Sequence, residues 1–260
     1  LFGDDGDDAL FGGSDADTLL GGAGADSLTG DDGNDSLLGE SGSDTFFGGS
    51  GSDVLRGDAG VDHLFGEDDN DFIFGGDDGD FLFGQAGNDS LLGDDGNDSL
   101  DGGAGADTLY GGLGTDQLTG GEGNDFFDMD DTTDVILGGS TATDLDVVLA
   151  DGLETLNLSS LSWDNVEVID LRGTAGNVDL LTVSGVEINA TTDSVDGSDN
   201  VFFIRGDGED SVATTDSGWT DQGLVANPDG SSLSYQLYTN ATSQTQLFVQ
   251  NGVDQAGIQL

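Results

Sequence analysis

Residues 21–39 read GGAGADSLTGDDGNDSLLG: two nine-residue units, each opening on Gly, placing Asp sixth and Leu eighth, with the next Gly following on schedule. Cut at the same interval from Gly3, the chain gives GDDGDDALF, GGSDADTLL, GGAGADSLT and so on to GGEGNDFFD, fourteen units without an insertion, ending at Asp128. Position one is always Gly, position six always Asp, and position eight always Leu, Ile or Phe, as at Leu10, Leu19, Phe46, Ile73 and Phe127. An unbroken short period marks a repeat architecture, in which each unit is too small to bury its own apolar face and must stack on its neighbours.

Each unit has two physical parts. Positions one to six are rich in Gly, which supplies backbone with positive φ and lets carbonyl groups converge with no Cβ between them. Positions seven to nine predict a three-residue strand whose middle side chain alone turns inward under the period-two pleat. A turn and a short strand, repeated, wind into a coil: two units complete one 18-residue turn, giving about seven turns with strands stacked roughly 4.8 Å apart. The expected fold is therefore all-β, a parallel β-roll over residues 1–128 followed by a β-rich cap over 129–260.

Charge is the difficulty such a coil must overcome. The 260 residues carry 54 Asp and Glu against three basic residues, Arg56, Arg172 and Arg205, for a formal net charge of −51. Acidity on this scale argues against nucleic acid and anionic membrane surfaces as partners. No apolar run is long enough to insert into a bilayer. In the coil, position-six carboxylates of successive turns approach to about 5 Å, where like charges repel by about 3 kcal/mol at an effective dielectric near 20. Two buried side chains per turn do not offset the entropy of ordering that turn's backbone. A divalent cation between the loops relieves both deficits. Ca²⁺ accepts six to eight oxygen ligands in adaptable geometry, and carboxylate and carbonyl oxygens are what the loops offer. Zinc prefers Cys and His, of which the chain has none and one. Mg²⁺ gives up its waters reluctantly and is the poorer candidate.

The pattern GGxGxDxUx resembles the calcium-binding RTX nonapeptide repeat of bacterial proteins exported by type I secretion, densely over residues 3–128. The resemblance implies a parallel β-roll with Ca²⁺ between the loops of successive turns, held by loop carbonyls and by the position-six carboxylates. Those are Asp8, Asp17, Asp26, Asp35, Asp44, Asp53, Asp62, Asp71, Asp80, Asp89, Asp98, Asp107, Asp116 and Asp125. Pairing each loop with the one 18 residues later allows about twelve calcium sites. Asp15, Asp69 and Asp78 depart from the pattern by standing at position four, where a Cβ adds a steric penalty that Gly avoids. Acids at position two, Asp4, Asp31, Glu40, Asp58, Glu67 and Asp94, read as solvated charge, with auxiliary ligation as the alternative.

Outward-facing positions carry a second pattern. Position nine holds Phe47, Phe65 and Phe83 on one side and Leu20, Leu38, Phe74, Leu92 and Tyr110 on the other, joined by Phe72 and Phe81 at position seven. Stacked strands would turn these into a ladder of cross-strand pairs. As an exposed patch they would instead dock a neighbouring domain or protein. His63, also at position seven, reads as inert.

After Asp128 the strict period stops. Short runs rich in Val, Ile, Leu and Thr, bounded by Gly, Asn, Asp and Ser, read as strands of either a β-sandwich or an irregular continuation of the solenoid. VEVIDLRG (166–173), NVDLLTVSGVEI (177–188), FFIRGDGEDSV (202–212), Trp219, SYQLYT (234–239) and LFVQNGV (247–253) resemble, in that order, the C-terminal regions of large RTX adhesins. That resemblance implies an uncleaved type I secretion signal in the last fifty or so residues, passage through the type I machinery, and a secreted or cell-surface location. Residues 211–260, with four Asp and no basic residue, are compatible with such a signal. Two motifs mislead. Arg205-Gly206-Asp207 spells RGD inside a Gly-Asp turn that the resemblance already expects. Stretches such as DDGND lack the twelfth-position Glu and the flanking helices of an EF-hand.

Catalysis needs tuned acids, bases or nucleophiles. With one His, no Lys and no Cys, and with the repeat Asps assigned to metal, the chain reads as non-enzymatic. The leading reading is a calcium-dependent folding and export module at the C-terminus of a large RTX adhesin. The alternative is the non-catalytic RTX tail of a secreted hydrolase, protease or epimerase. A recognition solenoid of the ice-binding kind would want a regular Thr array, whereas position seven varies among Ala, Thr, Ser, Val, His, Phe and Gln.

Overall fold

A computed structural model describes residues 1–128, 134–139 and 146–149 and, beyond them, the backbone of ten strands between 155 and 257. The first strands are β1 (Phe2–Asp5), β2 (Ala9–Ser14), β3 (Thr18–Ala23), β4 (Ser27–Asp32), β5 (Ser36–Ser41), β6 (Thr45–Ser50), β7 (Val54–Ala59) and β8 (His63–Asp68). The same step sets β9 (Phe72–Asp77), β10 (Phe81–Ala86), β11 (Ser90–Asp95), β12 (Ser99–Ala104), β13 (Thr108–Leu113), β14 (Gln117–Glu122) and β15 (Phe126–Asp128). Odd-numbered strands form one parallel sheet and even-numbered strands another. Each strand pairs with the one 18 residues on, so that Leu19 lies opposite Leu37 and Leu28 opposite Phe46. The expected all-β parallel roll is the observed fold, and the described residues contain no helix.

The strands are longer than the sequence predicts. From β2 to β14 each covers positions seven to nine and continues across positions one to three, six residues in all, as in Ser27–Asp32. Main-chain pairing holds the extension: Gly22 pairs with Glu40 and Ala23 with Ser41. The polar loop composition of those positions hides this, because ladder bonds between stacked strands do not depend on side-chain apolarity. Nor is position eight the only inward position. Position-six Asp, position-eight apolar residue and position-one Gly alternate inward together, so the core is two rows of Leu, Ile and Phe, one on each sheet, flanked by buried carboxylates.

Backbone with positive φ bends nearly every unit at two places. At position two Gly takes φ of 97–123°, while Asp4, Asp31, Glu40, Asp58, Glu67, Gln85 and Asp94 take 68–81°. At position four Gly42 sits at φ 138°, and a Cβ there would run into the Gly24 carbonyl. Asp15, Asp69 and Asp78 meet the same demand with φ of 94°, 73° and 76°, the left-handed well that Asp tolerates better than most residues.

The ladder runs on past Asp128. β16 (Val135–Gly139) pairs with β14 and β17 (Val147–Leu149) with β15, both in parallel, and Ile136 and Val148 are buried in line with the core. Farther strands are β18 (Thr155–Asn157), β19 (Trp163–Asp164), β20 (Val168–Asp170), β21 (Leu180–Val183), β22 (Asn200–Arg205) and β23 (Ser211–Thr214). The last are β24 (Trp219–Ala226), β25 (Ser234–Asn240), β26 (Thr245–Gln250) and β27 (Asp254–Gly257). Parallel pairing continues from β17 through β20 and β22 to β26, which follows the irregular solenoid among the two alternatives for this region. An antiparallel meander of β24, β25 and β26 then ends the first sheet. The side chains on which the secretion-signal reading of residues 211–260 rests, and Gly206 and Asp207 of the RGD tripeptide, lie outside the described residues.

Candidate metal centre

Each position-six Asp is the last residue of its turn, two residues before the core side chain, and the pleat sends both inward. The structure brings the fourteen repeat Asps together in two rows, Asp8 to Asp116 and Asp17 to Asp125, each advancing by 18 residues. Within a row, the main-chain N–H of one Asp donates to Oδ1 of the Asp one turn later: Asp62 to Asp80 at 2.8 Å, and Asp89 to Asp107 at 2.8 Å. Asp26 to Asp125 are buried, while Asp8 and Asp17, in the first turn, are half-buried.

Two further residues extend the rows. The Asp116 N–H donates to Asp134 Oδ1 at 3.0 Å, and the Asp125 N–H to Asp146 Oδ1 at 2.9 Å. Sequence reading missed both because it anchored the repeat on Gly at position one, and Met129 breaks that anchor. The signal was present in Asp134-Val-Ile-Leu and Asp146-Val-Val-Leu, which repeat the Asp-x-apolar step.

The second carboxylate oxygen is the chemical anomaly. In Asp8, Asp26, Asp35, Asp44, Asp53, Asp62, Asp71, Asp80, Asp89, Asp98 and Asp107, Oδ2 is buried and has no hydrogen-bond partner. A buried carboxylate oxygen without a donor is costly, since it loses its water and gains nothing in return. These atoms face position-one Gly of their own unit and the position-one carbonyl of the next turn. A Cβ built on Gly48 would lie 2.5 Å from Asp53 Oδ2 and 2.6 Å from the Gly66 oxygen; on Gly75 it would lie 2.5 Å from Asp80 Oδ2 and 2.7 Å from the Gly93 oxygen. Position one is always Gly because this cradle of two oxygens has no room for a side chain.

Burial pushes the Asp62, Asp71, Asp80 and Asp107 carboxyls up to about 7, and Asp53 and Asp98 up to about 6. The main-chain N–H bond opposes the shift and neighbouring carboxylates, such as Asp44 beside Asp62, add to it. Asp44 and Asp89 are raised for the same reason, burial first.

No three His, Cys, Asp or Glu side chains gather round one point among the described residues. The donors at each gap are therefore carboxylate Oδ2 and main-chain carbonyl oxygens, an all-oxygen set that fits Ca²⁺ and gives zinc nothing it prefers. A second set of bonds crosses the turns farther out. At position five, Asp7, Asn34, Asn70, Asn88 and Asn97 each accept through Oδ1 from the position-five N–H one turn later, at 2.6–3.3 Å. This clamp runs opposite to that of the position-six Asps, and nothing in the sequence reading anticipated it.

A sequence profile for the RTX calcium-binding nonapeptide repeat (4 copies) matches residues 2–37, 20–55, 38–73, 56–91, 74–109, 92–127 and 110–141, more than half of the 260 residues. The chain belongs to the RTX calcium-binding repeat family. Its RTX roll is a structural calcium-binding module, and the match carries past Asp128 into the stretch holding Asp134. A comparison with curated proteins finds no match.

Outward from the RTX core, the aromatic residues form the expected cross-strand ladder. Phe47 stacks on Phe65 at 5.2 Å between centroids and Phe65 on Phe83 at 4.9 Å, within 8° of parallel. His63, read as inert, stacks on Phe81 at 4.7 Å. On the opposite sheet Arg56 lies over the Phe74 ring at 5.8 Å and pairs with Asp58 at 3.2 Å.

Proposed function

We propose that Ca²⁺ held between successive turns by the position-six carboxylates is what folds this chain, and that the chain serves as a calcium-dependent folding and export module at the C-terminus of a large secreted or cell-surface adhesin. The observation that carries this reading is the file of buried Oδ2 atoms with no donor, most of them beside a carbonyl oxygen of the next turn. The ligands would be the Oδ2 atoms of Asp8 to Asp125 at nine-residue intervals, with loop carbonyls completing each shell. Calcium supplies positive charge to a stack of carboxylates that the roll has stripped of water.

Binding energy then becomes folding energy, because the site exists only when two turns are stacked. In a cytosol poor in calcium, a chain of net charge −51 stays open and can thread a type I secretion channel. Outside the cell, calcium winds residues 1–128 into the roll on the strands of 129–260. The adhesin context rests on the resemblance of residues 166–253 described above.

Circular dichroism through a calcium titration, from chelator upward and with magnesium as control, tests this. Cooperative gain of β-structure at about 10⁻⁴–10⁻³ M calcium is expected, the range of extracellular calcium modules, with a far weaker response to magnesium. The same β-signal in chelator would end the folding and export reading.

A further inference from the structure

Positions seven, nine and two of each unit point outward, and on the first sheet side chains one turn apart lie in register. At position two this face is broken: Gly76 stands between Asp58 on the turn before and Asp94 on the turn after, paired with both. A Cβ on Gly76 would run into the Asp58 carbonyl, so the space between the two carboxylates stays open. The result is a notch of about 420 Å³ floored by Gly75 and Gly76. Phe74 and Arg56 make one wall, and Asp58, Asp77, Asp94 and Asp95 make the others. Phe72, on the same face, is 53 % exposed and Val54, its partner one turn back, 36 %, which gives the notch an apolar margin.

Arg56 is the only Arg or Lys in residues 1–128, and it shows how a cation sits here. Its guanidinium lies over the Phe74 ring and pairs with Asp58. Asp77, Asp94 and Asp95 have no basic partner among the described residues. Burial pushes the Asp94 carboxyl up, Asp95 and Asp77 add to the shift, and Arg56 opposes it. One positive charge thus faces four negative ones.

We propose that this notch is a docking site for a basic segment of a partner protein, one that sets an Arg side chain over Gly76 among Asp77, Asp94 and Asp95 and an apolar side chain against Phe72. Charge and shape select this occupant. A second copy of the chain would bring its own net charge of −51, and a nucleic acid its phosphates. Among the described residues no three carboxylates gather round one point, as a metal ion would require. They are spread round an aromatic wall instead, which suits a planar cation with N–H donors in several directions. Arg meets that description and stacks on rings, as Arg56 does on Phe74. None of the four acids stands at position six, so the docking site is independent of calcium ligation by the repeat Asps. Charges of this kind set partner choice and encounter rate more than affinity, so the contact is weak and salt-sensitive.

The probe is a fluorescent peptide alternating Arg and Leu, followed by anisotropy against the full chain in calcium that saturates the dichroism. At about 0.15 M ionic strength the Debye length is about 8 Å, which screens the chain's general acidity. Saturable binding is expected, and it should be lost when citrulline replaces Arg in the peptide. Asp77→Asn with Asp95→Asn should weaken binding at least about fivefold. Asp32→Asn with Asp68→Asn removes the same charge from exposed residues at the same repeat position on the other sheet, and should leave binding unchanged. Phe74→Leu keeps a residue that position nine already holds at Leu38 and Leu92, and should weaken binding about threefold with the dichroism retained. Arg56→Gln should tighten it, because Asp58 is then free for the incoming cation. Equal losses in the two Asn pairs would reduce the binding to attraction by a polyanion and overturn the site. No binding, or binding indifferent to citrulline, would do the same. Full displacement by free arginine at the peptide's own concentration would make the notch a small-cation site and sink the docking surface. Self-association in sedimentation that Asp77→Asn with Asp95→Asn abolishes would assign it to a second copy, and overturn it too.

Discussion

Asp107 places two demands on one carboxylate. Its Oδ1 receives the Asp89 N–H at 2.8 Å, while its Oδ2, with no donor, borders the space between Gly102 and the Gly120 oxygen. Asn in its place keeps the acceptor and offers an NH₂ donor where the charged oxygen stood. Asp107→Asn together with Asp89→Asn should therefore raise the calcium midpoint several-fold and lower the bound stoichiometry, measured by calorimetry, while making the calcium-free chain easier to fold. An unchanged titration would refute ligation by these two residues. At this scale the repeat Asps and Glys were legible because each position obeys one rule in every unit. Harder to read was position two, where Asp4, Glu40 and Gln85 take the left-handed backbone that Gly takes elsewhere. The acids among them read as solvated charge or auxiliary ligands, since a side chain's identity does not report its φ.

At the scale of the strand, six-residue length comes from main-chain bonds that composition conceals. The aromatic ladder is an element-scale feature too, because parallel in-register pairing stacks position nine upon position nine every turn. Phe65 lies between Phe47 and Phe83, so Phe65→Ala removes two stacked pairs at once. A loss of about 1–3 kcal/mol of calcium-saturated stability is expected from pairs worth about 0.5–1.5 kcal/mol each, read from chemical denaturation at fixed calcium. A change within about 0.5 kcal/mol, the usual size for an exposed surface substitution, would show that the ladder is incidental to the roll. The sequence presented these rings as either a ladder or a docking patch. Centroid distances of 4.9–5.2 Å show the ladder, which linear spacing could only allow.

For the whole molecule, protons and calcium compete for the same carboxylates. Six of the buried Asps hold their protons up to about 6 or 7 in the roll, against 3.8 for an ordinary Asp, because burial disfavours the charge. Between about pH 4 and pH 7 the calcium-free roll thus binds protons that the unfolded chain has released, and its stability falls as pH rises through that window. In chelator, acidification from pH 7.5 toward pH 4 should bring a gain of β-structure. In calcium the dependence reverses: the midpoint should fall as pH rises from 5.5 to 7.5, since metal requires the deprotonated carboxylate. Dichroism at several pH values checks both, and a calcium midpoint indifferent to pH would contradict ligation by these groups. The sequence by itself determined the repeat length, the parallel roll, the inward file of apolar residues and the row of Asps, because a strict period allows one coil and every unit reports the same constraint. Only the tertiary structure decided that the carboxylates are buried with one oxygen satisfied and one not, and that Asp134 and Asp146 extend the rows. Those are relations between residues eighteen or more apart, and they exist only once one turn lies on another.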